Sequence, residues 1–265
     1  GGANLKVSDG CHYSVTYPFP LWKQPDRLSA ALRDAVDAAP AHSRLAVTMT
    51  GELADCFVSR SEGVRFIVRA VEQAVPQSEV HIYRIDGGLA PADPALSGNW
   101  LVAAATNWHA LATYAARFCQ GQPGVLIDAG STTVDIIPIA GDLPAPRGAT
   151  DVDRLRYGEL VYTGVQRSPV CAIVGALPYK NQSVPVAQEI FATALDAYLL
   201  TGDREERAHD CETADGGPQT RDGARRRLGR KLSPEHTRRR SSPRERSARL
   251  RSTAFRRRGR AQQLL

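Results

Sequence analysis

In several segments of the chain, apolar residues recur every three or four positions, which is the spacing of an amphipathic helix. Within residues 61–75, valine and isoleucine follow this spacing, and Pro76 ends the segment. Asp26 is the predicted N-cap of the first such segment, and Gly202 ends the last one. The spacing predicts four helices, which cover residues 26–39, 61–75, 99–119 and 186–200.

Other segments alternate apolar and polar residues, a pattern that indicates strands. Residues 44–50 and 79–85 alternate in this way, whereas the Pro, Ala and Gly of residues 89–98 predict a loop. The segment VLIDAGSTTVDIIPI, residues 125–139, predicts a hairpin of two strands around a short polar turn. The alternation of strands and helices predicts an α/β fold class, and the hairpin predicts mixed rather than purely parallel sheets.

Glycines at residues 120–124 interrupt the pattern and give the most natural division of the chain. We therefore predict two α/β domains, residues 1–120 and 121–232, followed by a tail over residues 233–265. Residues 221–265 hold 17 of the 34 Lys and Arg residues but only 3 of the 28 Asp and Glu residues. The body is thus acidic, and the Arg-rich tail has too few apolar residues to bury a core, so we predict that it is disordered.

Composition narrows the class of protein further. Hydrophobic residues make up 42% of the chain, an ordinary proportion for a globular protein. No apolar run is long enough to span a membrane, and no secretory leader pattern opens the sequence. The five cysteines are odd in number and lack CxxC spacing, which suits a reducing compartment. We therefore expect a cytoplasmic protein with no membrane partner.

The strongest chemical candidate is the turn of the predicted hairpin. Gly130 allows a ligand to approach the backbone closely, and the backbone N–H groups and hydroxyls of Ser131, Thr132 and Thr133 can face phosphate oxygens. Asp128 ends the first strand and is suited either to bind Mg²⁺, which prefers carboxylate oxygens, or to position a nucleophile. An ordinary hairpin with a Ser/Thr turn explains the same pattern equally well.

Three further segments are weaker candidates. GGANLK, with Gly1, Gly2, Asn4 and Lys6, predicts a second phosphate-contacting turn, although terminal glycines also occur as cloning remnants. Glu52 follows a strand and, with a second acid at position 55, is either a general base or metal ligand or an acid at a helix N-terminus. Arg154 and Arg167 suit phosphate or carboxylate groups, with Glu159 in the same segment, and surface salt bridges are the alternative.

Taken in order, these motifs resemble the hydantoinase/oxoprolinase-like proteins. GGANLK, VTMTGELADCF, the Asn-Trp helix, VLIDAGSTTVDIIPI and RLRYGELVYTGVQRSPVCA carry the resemblance, which spans residues 1–231. The sequence is most similar to the subgroup tied to tetrahydromethanopterin-linked C1 transfer, whose archaeal members are synthases of methanofuran biosynthesis.

The resemblance implies an actin-like ATPase superfold, in which two RNase H-like α/β domains flank a phosphate-binding cleft. GGANLK would form the first phosphate-contacting hairpin, and the hairpin from Asp128 to Asp135 would form the second, with Mg²⁺ on these two carboxylates. The implied ligand is a small phosphorylated molecule, with ATP as the alternative. The implied reaction joins an aminomethylfuran methyl diphosphate to γ-glutamyl-tyramine and releases diphosphate, with Glu52 or Glu159 as the base.

The sequence departs from the family pattern at both ends. Relatives begin with a strand and an aspartate before the glycines, so that strand is expected to be missing here, and the family pattern gives way to Arg/Ser sequence near position 233. A wrong reading frame is the favoured explanation of the tail, and a nucleic-acid-binding arm is the alternative if the tail is genuine. Three functions therefore stay open: the synthase, an ATP-dependent hydrolase of the hydantoinase type, and an inactive remnant or nucleotide-binding scaffold.

Overall fold

The computed structural model describes residues 2–92, 98–207 and 219–232, with side chains described as far as residue 228. This part of the chain is mixed α/β, which confirms the predicted fold class. Gly1 and the tail 233–265 lie outside the described residues. The helices are α1 (Leu28–Asp37), α2 (Arg60–Ala74), α3 (Asn107–Ala116), α4 (Asp151–Tyr157), α5 (Val170–Ile173), α6 (Ala194–Thr201) and α7 (Arg221–Leu232). The strands are β1 (Asn4–Ser8), β2 (Ser14–Pro18), β3 (Arg44–Val47), β4 (Glu79–Tyr83), β5 (Leu89–Pro91), β6 (Gly124–Ala129), β7 (Val134–Ala140), β8 (Leu143–Pro144), β9 (Leu160–Val161), β10 (Ala176–Tyr179) and β11 (Gln182–Pro185).

The contacts divide the described chain into two compact units. Unit 1 comprises the described residues of 1–126 together with 137–157, and unit 2 comprises 127–136 together with the described residues from 158 onwards. The chain therefore passes from one unit to the other within β6 and returns within β7. The sequence-based division at residues 120–124 assigns residues 137–157 to the second domain, whereas their contacts assign them to unit 1.

The core of unit 1 forms around α2. Its buried residues include Val64, Ile67, Val68 and Val71, so the predicted three- and four-residue spacing is confirmed. The side chain of Ser59 accepts a hydrogen bond from the N–H of Glu62 and caps the helix. Helix α1 packs against α2. It begins at Leu28 after a 3₁₀ turn over Pro25–Arg27, so the predicted cap at Asp26 is wrong.

The sheet beside these helices is mixed, although it is not the sheet of the hairpin on which that prediction rests. Strand β3 pairs in parallel with β4, and β4 pairs antiparallel with β5. Strand β5 lies inside residues 89–98, which were expected to form a loop. The three-residue strand carries only Leu89, Ala90 and Pro91, which is too short for an alternating pattern to reveal it.

The predicted long helix over residues 99–119 is wrong, because two shorter helices replace it. A 3₁₀ helix covers Trp100–Ala103, and α3 follows after a break at Ala104–Thr106. Ala105 has a φ of 49°, which no α-helix accommodates. At the break, the N–H of Thr106 donates to the carbonyl of Met49 at 3.0 Å. A tertiary hydrogen bond therefore replaces a helical one.

Residues 4–18 form a hairpin that the helical and strand patterns did not predict. Strand β1 pairs antiparallel with β2 along its whole length. The hairpin turn lies at Asp9–Tyr13, where one carboxylate oxygen of Asp9 accepts hydrogen bonds from three backbone N–H groups, of Cys11, His12 and Tyr13. These bonds hold the pKa of Asp9 below its usual value.

Unit 2 contains a buried ion pair between its last two described helices. The predicted helix over residues 186–200 begins only at Ala194, because Thr193 and Asp196 form a capping box there. It ends at Gly202, which has a φ of 87°, as the sequence predicts. Arg227 of α7 lies 2.7 Å from Asp196, with side chains 2% and 1% exposed. The hairpin of β10 and β11 completes the unit.

Candidate functional site

The predicted hairpin at residues 125–139 is confirmed, and its turn is closed by one hydrogen bond. Strands β6 and β7 are neighbours in one sheet, and the N–H of Gly130 donates to the carbonyl of Thr133 at 2.8 Å. The turn therefore consists of Gly130, Ser131, Thr132 and Thr133, the four residues predicted to contact phosphate. So short a connection between neighbouring strands makes them antiparallel.

A second segment, residues 163–168, binds the turn from one side. The N–H of Val165 donates to the carbonyl of Gly130 at 3.0 Å, and the N–H groups of Gln166 and Arg167 donate to the carbonyl of Ser131 at 3.1 and 2.8 Å. The carbonyls of Gly130, Ser131 and Thr133 thus all accept hydrogen bonds. Among the described residues, none accepts a hydrogen bond from the N–H groups of residues 131–133. These three donors are consequently available for an anion.

Asp128 and Asp135 lie on the same face of the hairpin. A Cβ atom at Gly124 would lie 3.9 Å from that of Ile139, and Leu126 packs with Ile137, so these residues share one face. Alternation along each strand places Asp128 and Asp135 on that face, next to the turn. Asp128 is half-buried and Asp135 is buried.

The remaining predicted residues of unit 2 belong to segments whose backbones are hydrogen-bonded to this hairpin. Glu159 is buried, and its carbonyl accepts a hydrogen bond from Ile136 at 2.9 Å. Strand β9 follows directly and pairs with Val134 and Asp135 of β7. Arg167 is exposed, while its backbone is bound to the turn. Unit 2 thus brings the turn, both aspartates, Glu159 and Arg167 into one neighbourhood.

Unit 1 contains a buried carboxylate at Glu52, whose side chain is 0% exposed. Arg60, at the start of α2, lies 3.5 Å from Glu52 Oε1 and 3.3 Å from Asp151 Oδ2. No group of the described residues makes a well-formed hydrogen bond to either oxygen of Glu52. Burial therefore raises the pKa of Glu52, although Arg60 and the N–H of Ala105 act in the opposite direction.

Glu52 is not an acid at a helix N-terminus, which was the alternative interpretation. Residues 52–56 form turns, and the next helix begins at Arg60. Gly63 of α2 lies directly against Glu52, since a Cβ atom there would lie 2.6 Å from its carbonyl oxygen. The second predicted acid, Asp55, is exposed. The structure therefore singles out Glu52 as the buried acid of this segment.

The GGANLK segment does not form the predicted turn over its described residues. Asn4 and Lys6 lie on the exposed side of β1 and are paired with β2. Gly2 has a φ of 74°, and a Cβ atom added to it would lie 3.6 Å from the Cα of Gly51. Gly2 is thus next to the segment of Glu52, while Gly1 lies outside the described residues.

Arg154 is enclosed in unit 1. Its side chain is 1% exposed, and its guanidinium lies 3.9 Å from the centre of the Trp108 ring. This is a cation–π contact in a desolvated setting. Trp108 is itself buried and belongs to a hydrophobic core cluster.

Comparison with known proteins assigns the family. The model of the hydantoinase/oxoprolinase family matches residues 44–249. The chain belongs to this family. The (4-{4-[2-(γ-L-glutamylamino)ethyl]phenoxymethyl}furan-2-yl)methanamine synthase of Methanocaldococcus jannaschii is 34% identical over 235 residues, which cover 88% of this chain and 69% of the relative. The protein of the same name from Methanococcus vannielii is 38% identical over 94 residues, 36% of this chain and 42% of the relative.

The hydantoinase/oxoprolinase match includes the segments that carry Glu52, the hairpin turn and Arg167. Four residues that contact these segments were missed from the sequence. In the sequence, Arg60 looks like any basic residue at the start of a helix. Gly164 and Ser168 lie in a loop whose residue spacing matches no known motif. Gly63 had a detectable signal, because a glycine inside a strongly helical pattern often marks a close approach of backbones.

The two predicted metal ligands both supply carboxylate oxygens. Within the described ranges, no cluster of three or more His, Cys, Asp or Glu side chains is present. Two carboxylates on one face, Asp128 and Asp135, fit Mg²⁺, which commonly binds one or two carboxylates together with phosphate oxygens. The described residues also contain no helix long and apolar enough to cross a membrane.

Proposed function

We propose that this chain is a synthase of methanofuran biosynthesis, which forms the aryl ether between an aminomethylfuran and γ-glutamyl-tyramine and releases diphosphate. One observation carries the proposal, the 34% identity over 88% of the chain with the synthase of Methanocaldococcus jannaschii. The proposed superfold is the actin-like one.

The diphosphate of the furan substrate is proposed to bind at the turn of β6 and β7. The N–H groups of Ser131, Thr132 and Thr133 and the three hydroxyls offer donors for its oxygens. The exposed Arg167 adds a guanidinium, which suits phosphate through paired hydrogen bonds. Arg154 is a weaker candidate for this contact, because it is buried over Trp108.

Asp128 and Asp135 are proposed to hold Mg²⁺ beside the turn. When bound, the ion would neutralise charge that develops on the departing diphosphate. The N–H groups of the turn act in the same direction, since donors aimed at developing negative charge lower the barrier. ATP is the alternative occupant of the same turn, because its phosphates present the same oxygens.

The bond changes define what a base must do. A C–O bond forms between the phenol oxygen of γ-glutamyl-tyramine and the furan methylene, and the bond from that methylene to diphosphate breaks. Diphosphate leaves with the electron pair, and the phenol proton passes to a carboxylate. Glu52 and Glu159 are the proposed bases. Burial raises the pKa of Glu52, which brings a carboxylate closer to the basicity that proton abstraction from a phenol requires.

The family supports a second candidate function, the ATP-dependent hydrolysis of a cyclic amide. One experiment separates the two, using the full chain with Mg²⁺. Diphosphate and phosphate release are measured separately with the furan diphosphate and γ-glutamyl-tyramine, and with ATP and a hydantoin. Diphosphate release in the first mixture alone supports the synthase. Phosphate release in the second mixture alone supports the hydrolase, and no release in either supports an inactive scaffold.

A further inference from the structure

Gly164, like Gly63 and Gly148, is a described glycine at which a Cβ atom would overlap the backbone of another segment. A Cβ atom at Gly164 would lie 2.5 Å from the carbonyl carbons of Ser131 and Thr132, and closer still to the nitrogen of Thr132. Atoms this close overlap, because ordinary contacts begin near about 3.5 Å. The backbone of Gly164 is outside the left-handed region, so space and not backbone conformation requires a glycine here.

The group that Gly164 touches is backbone and cannot rotate away. Gly124 makes the contrast clear, since a Cβ atom there would meet the Sγ atom of Cys119, the end of a flexible side chain. At Gly164 the obstacle is the peptide between Ser131 and Thr132, which belongs to the turn itself. A methyl group would therefore have to displace either this turn or the segment that carries Gly164.

The segment that carries Gly164 is anchored on its other side. The N–H of Gly164 donates to Ser168 Oγ at 2.6 Å, and Ser168 is buried. The carbonyl of Ser168 accepts from Ala194 at 2.9 Å, and that of Gln166 accepts from Leu195 at 3.3 Å. Both acceptors are thereby tied to the start of α6. Because the segment is held at both sides, added volume at Gly164 acts on the turn.

We propose that Gly164 is a positioning residue for the diphosphate site, which fixes the peptide of Ser131 and Thr132 so that the turn presents its N–H groups to the anion. The proposal rests on the proposed function of the turn. A displacement of about 1 Å is enough to cost on the order of a hundredfold in a well-oriented site. Gly164 itself offers no donor to the ligand and acts only through the turn.

The test compares Gly164→Ala with Gly175→Ala in the full chain. Gly175 belongs to the same unit, and a Cβ atom there would meet nothing within 4 Å. Binding of inorganic pyrophosphate with Mg²⁺ is measured by titration calorimetry. We expect Gly164→Ala to raise the dissociation constant at least about tenfold and Gly175→Ala to leave it unchanged. In turnover, Gly164→Ala raises the KM for the furan diphosphate and leaves the KM for γ-glutamyl-tyramine unchanged, which a general loss of folded protein would not do.

Ser168→Ala is the second variant, in case Gly164→Ala does not fold. It keeps the glycine but removes the acceptor that holds it, and a smaller rise of about two- to fivefold in the dissociation constant is expected. Unchanged pyrophosphate binding in a folded Gly164→Ala, or in Ser168→Ala where that variant alone folds, overturns the proposal. Wild-type protein that binds no pyrophosphate also overturns it. If wild-type protein binds pyrophosphate but forms no ether, the synthase function is refuted. The proposal on Gly164 is then decided by the pyrophosphate dissociation constants of the variants.

Discussion

Glu52→Gln is expected to stabilise the protein at neutral pH while impairing its function. The carboxylate has no exposed surface, its nearest cation is Arg60 at 3.5 Å, and neither oxygen has a well-formed hydrogen bond. A buried polar group without such partners costs about 1–3 kcal/mol, and more when charged. Glutamine has the same shape without the charge. Because its amide still lacks partners, we expect a net gain of about 1–2 kcal/mol in the free energy of unfolding.

The stability difference between Glu52→Gln and wild type should depend on pH, and the raised pKa of Glu52 sets the direction of that dependence. Burial raises the pKa of Glu52 in the folded protein above the unfolded value. Its folded form therefore retains the proton over a range in which the unfolded form has lost it. The stability that the raised pKa of Glu52 contributes is fully present below the unfolded pKa of about 4.3, and it is lost as the pH rises through the folded pKa. The advantage of Glu52→Gln should thus grow as the pH rises from about 4 towards 8.

Urea unfolding followed by circular dichroism, repeated across this pH range, measures the difference. Glu72→Gln is the matched control, because Glu72 is exposed on α2 of the same unit. A Glu52→Gln protein that is less stable than wild type near pH 8 would refute the reasoning. So would a difference that does not change with pH, since it would mean that the carboxyl group does not titrate between the two states.

Three further substitutions test other parts of the account. Arg227→Met leaves the buried carboxylate of Asp196 without its guanidinium partner and is expected to lower the free energy of unfolding in urea by about 3–5 kcal/mol. Arg225→Met, which breaks an exposed ion pair, is expected to lower it by less than about 0.5 kcal/mol. Equal losses would contradict the role of burial. Trp108→Ala removes a buried ring of the core and is expected to cost about 3–5 kcal/mol by the same measurement; a cost under about 1 kcal/mol would show that the ring is not packed as described. Asp128→Asn is expected to reduce diphosphate release at least about a hundredfold at saturating Mg²⁺, with thermal stability retained. Unchanged release would exclude this carboxylate from the site.

Elements with a strong period and clear ends were predictable from the sequence. Helix α2 has buried residues at the spacing that the sequence shows, a serine cap and a following proline. The hairpin of β6 and β7 has two apolar runs around a turn rich in small polar residues. In both cases local preference and tertiary packing favour the same structure, so the pattern is sufficient.

Elements decided by long-range contacts were not predictable. The break before α3 depends on a hydrogen bond between Thr106 and Met49, far apart in the chain. An apolar helical pattern contains no signal for such a bond. The late start of α6 at Ala194 depends on the capping box of Thr193 and Asp196. That box is a recognisable Thr-x-x-Asp spacing, and the continuous apolar pattern around it obscured the signal.

The types of residue in the candidate site were predictable from the sequence, whereas the residues that hold them in place were not. Asp128, the turn residues and Glu52 were identified because carboxylates and small hydroxyl residues next to strand ends are a known pattern. Arg60 and Gly164 were missed because their importance lies in what they touch, a buried carboxylate and a backbone peptide. Contacts of this kind arise only when segments distant in sequence come together in the fold.

The most direct test of the central claim is ether formation with labelled phenol. The full chain is mixed with Mg²⁺, the aminomethylfuran methyl diphosphate and γ-glutamyl-tyramine whose phenolic oxygen is ¹⁸O, and the products are analysed by mass spectrometry. The account predicts one condensed amine per diphosphate released, with the ¹⁸O label retained in the ether. Diphosphate release without the condensed amine, or an ether that lacks the label, would contradict it.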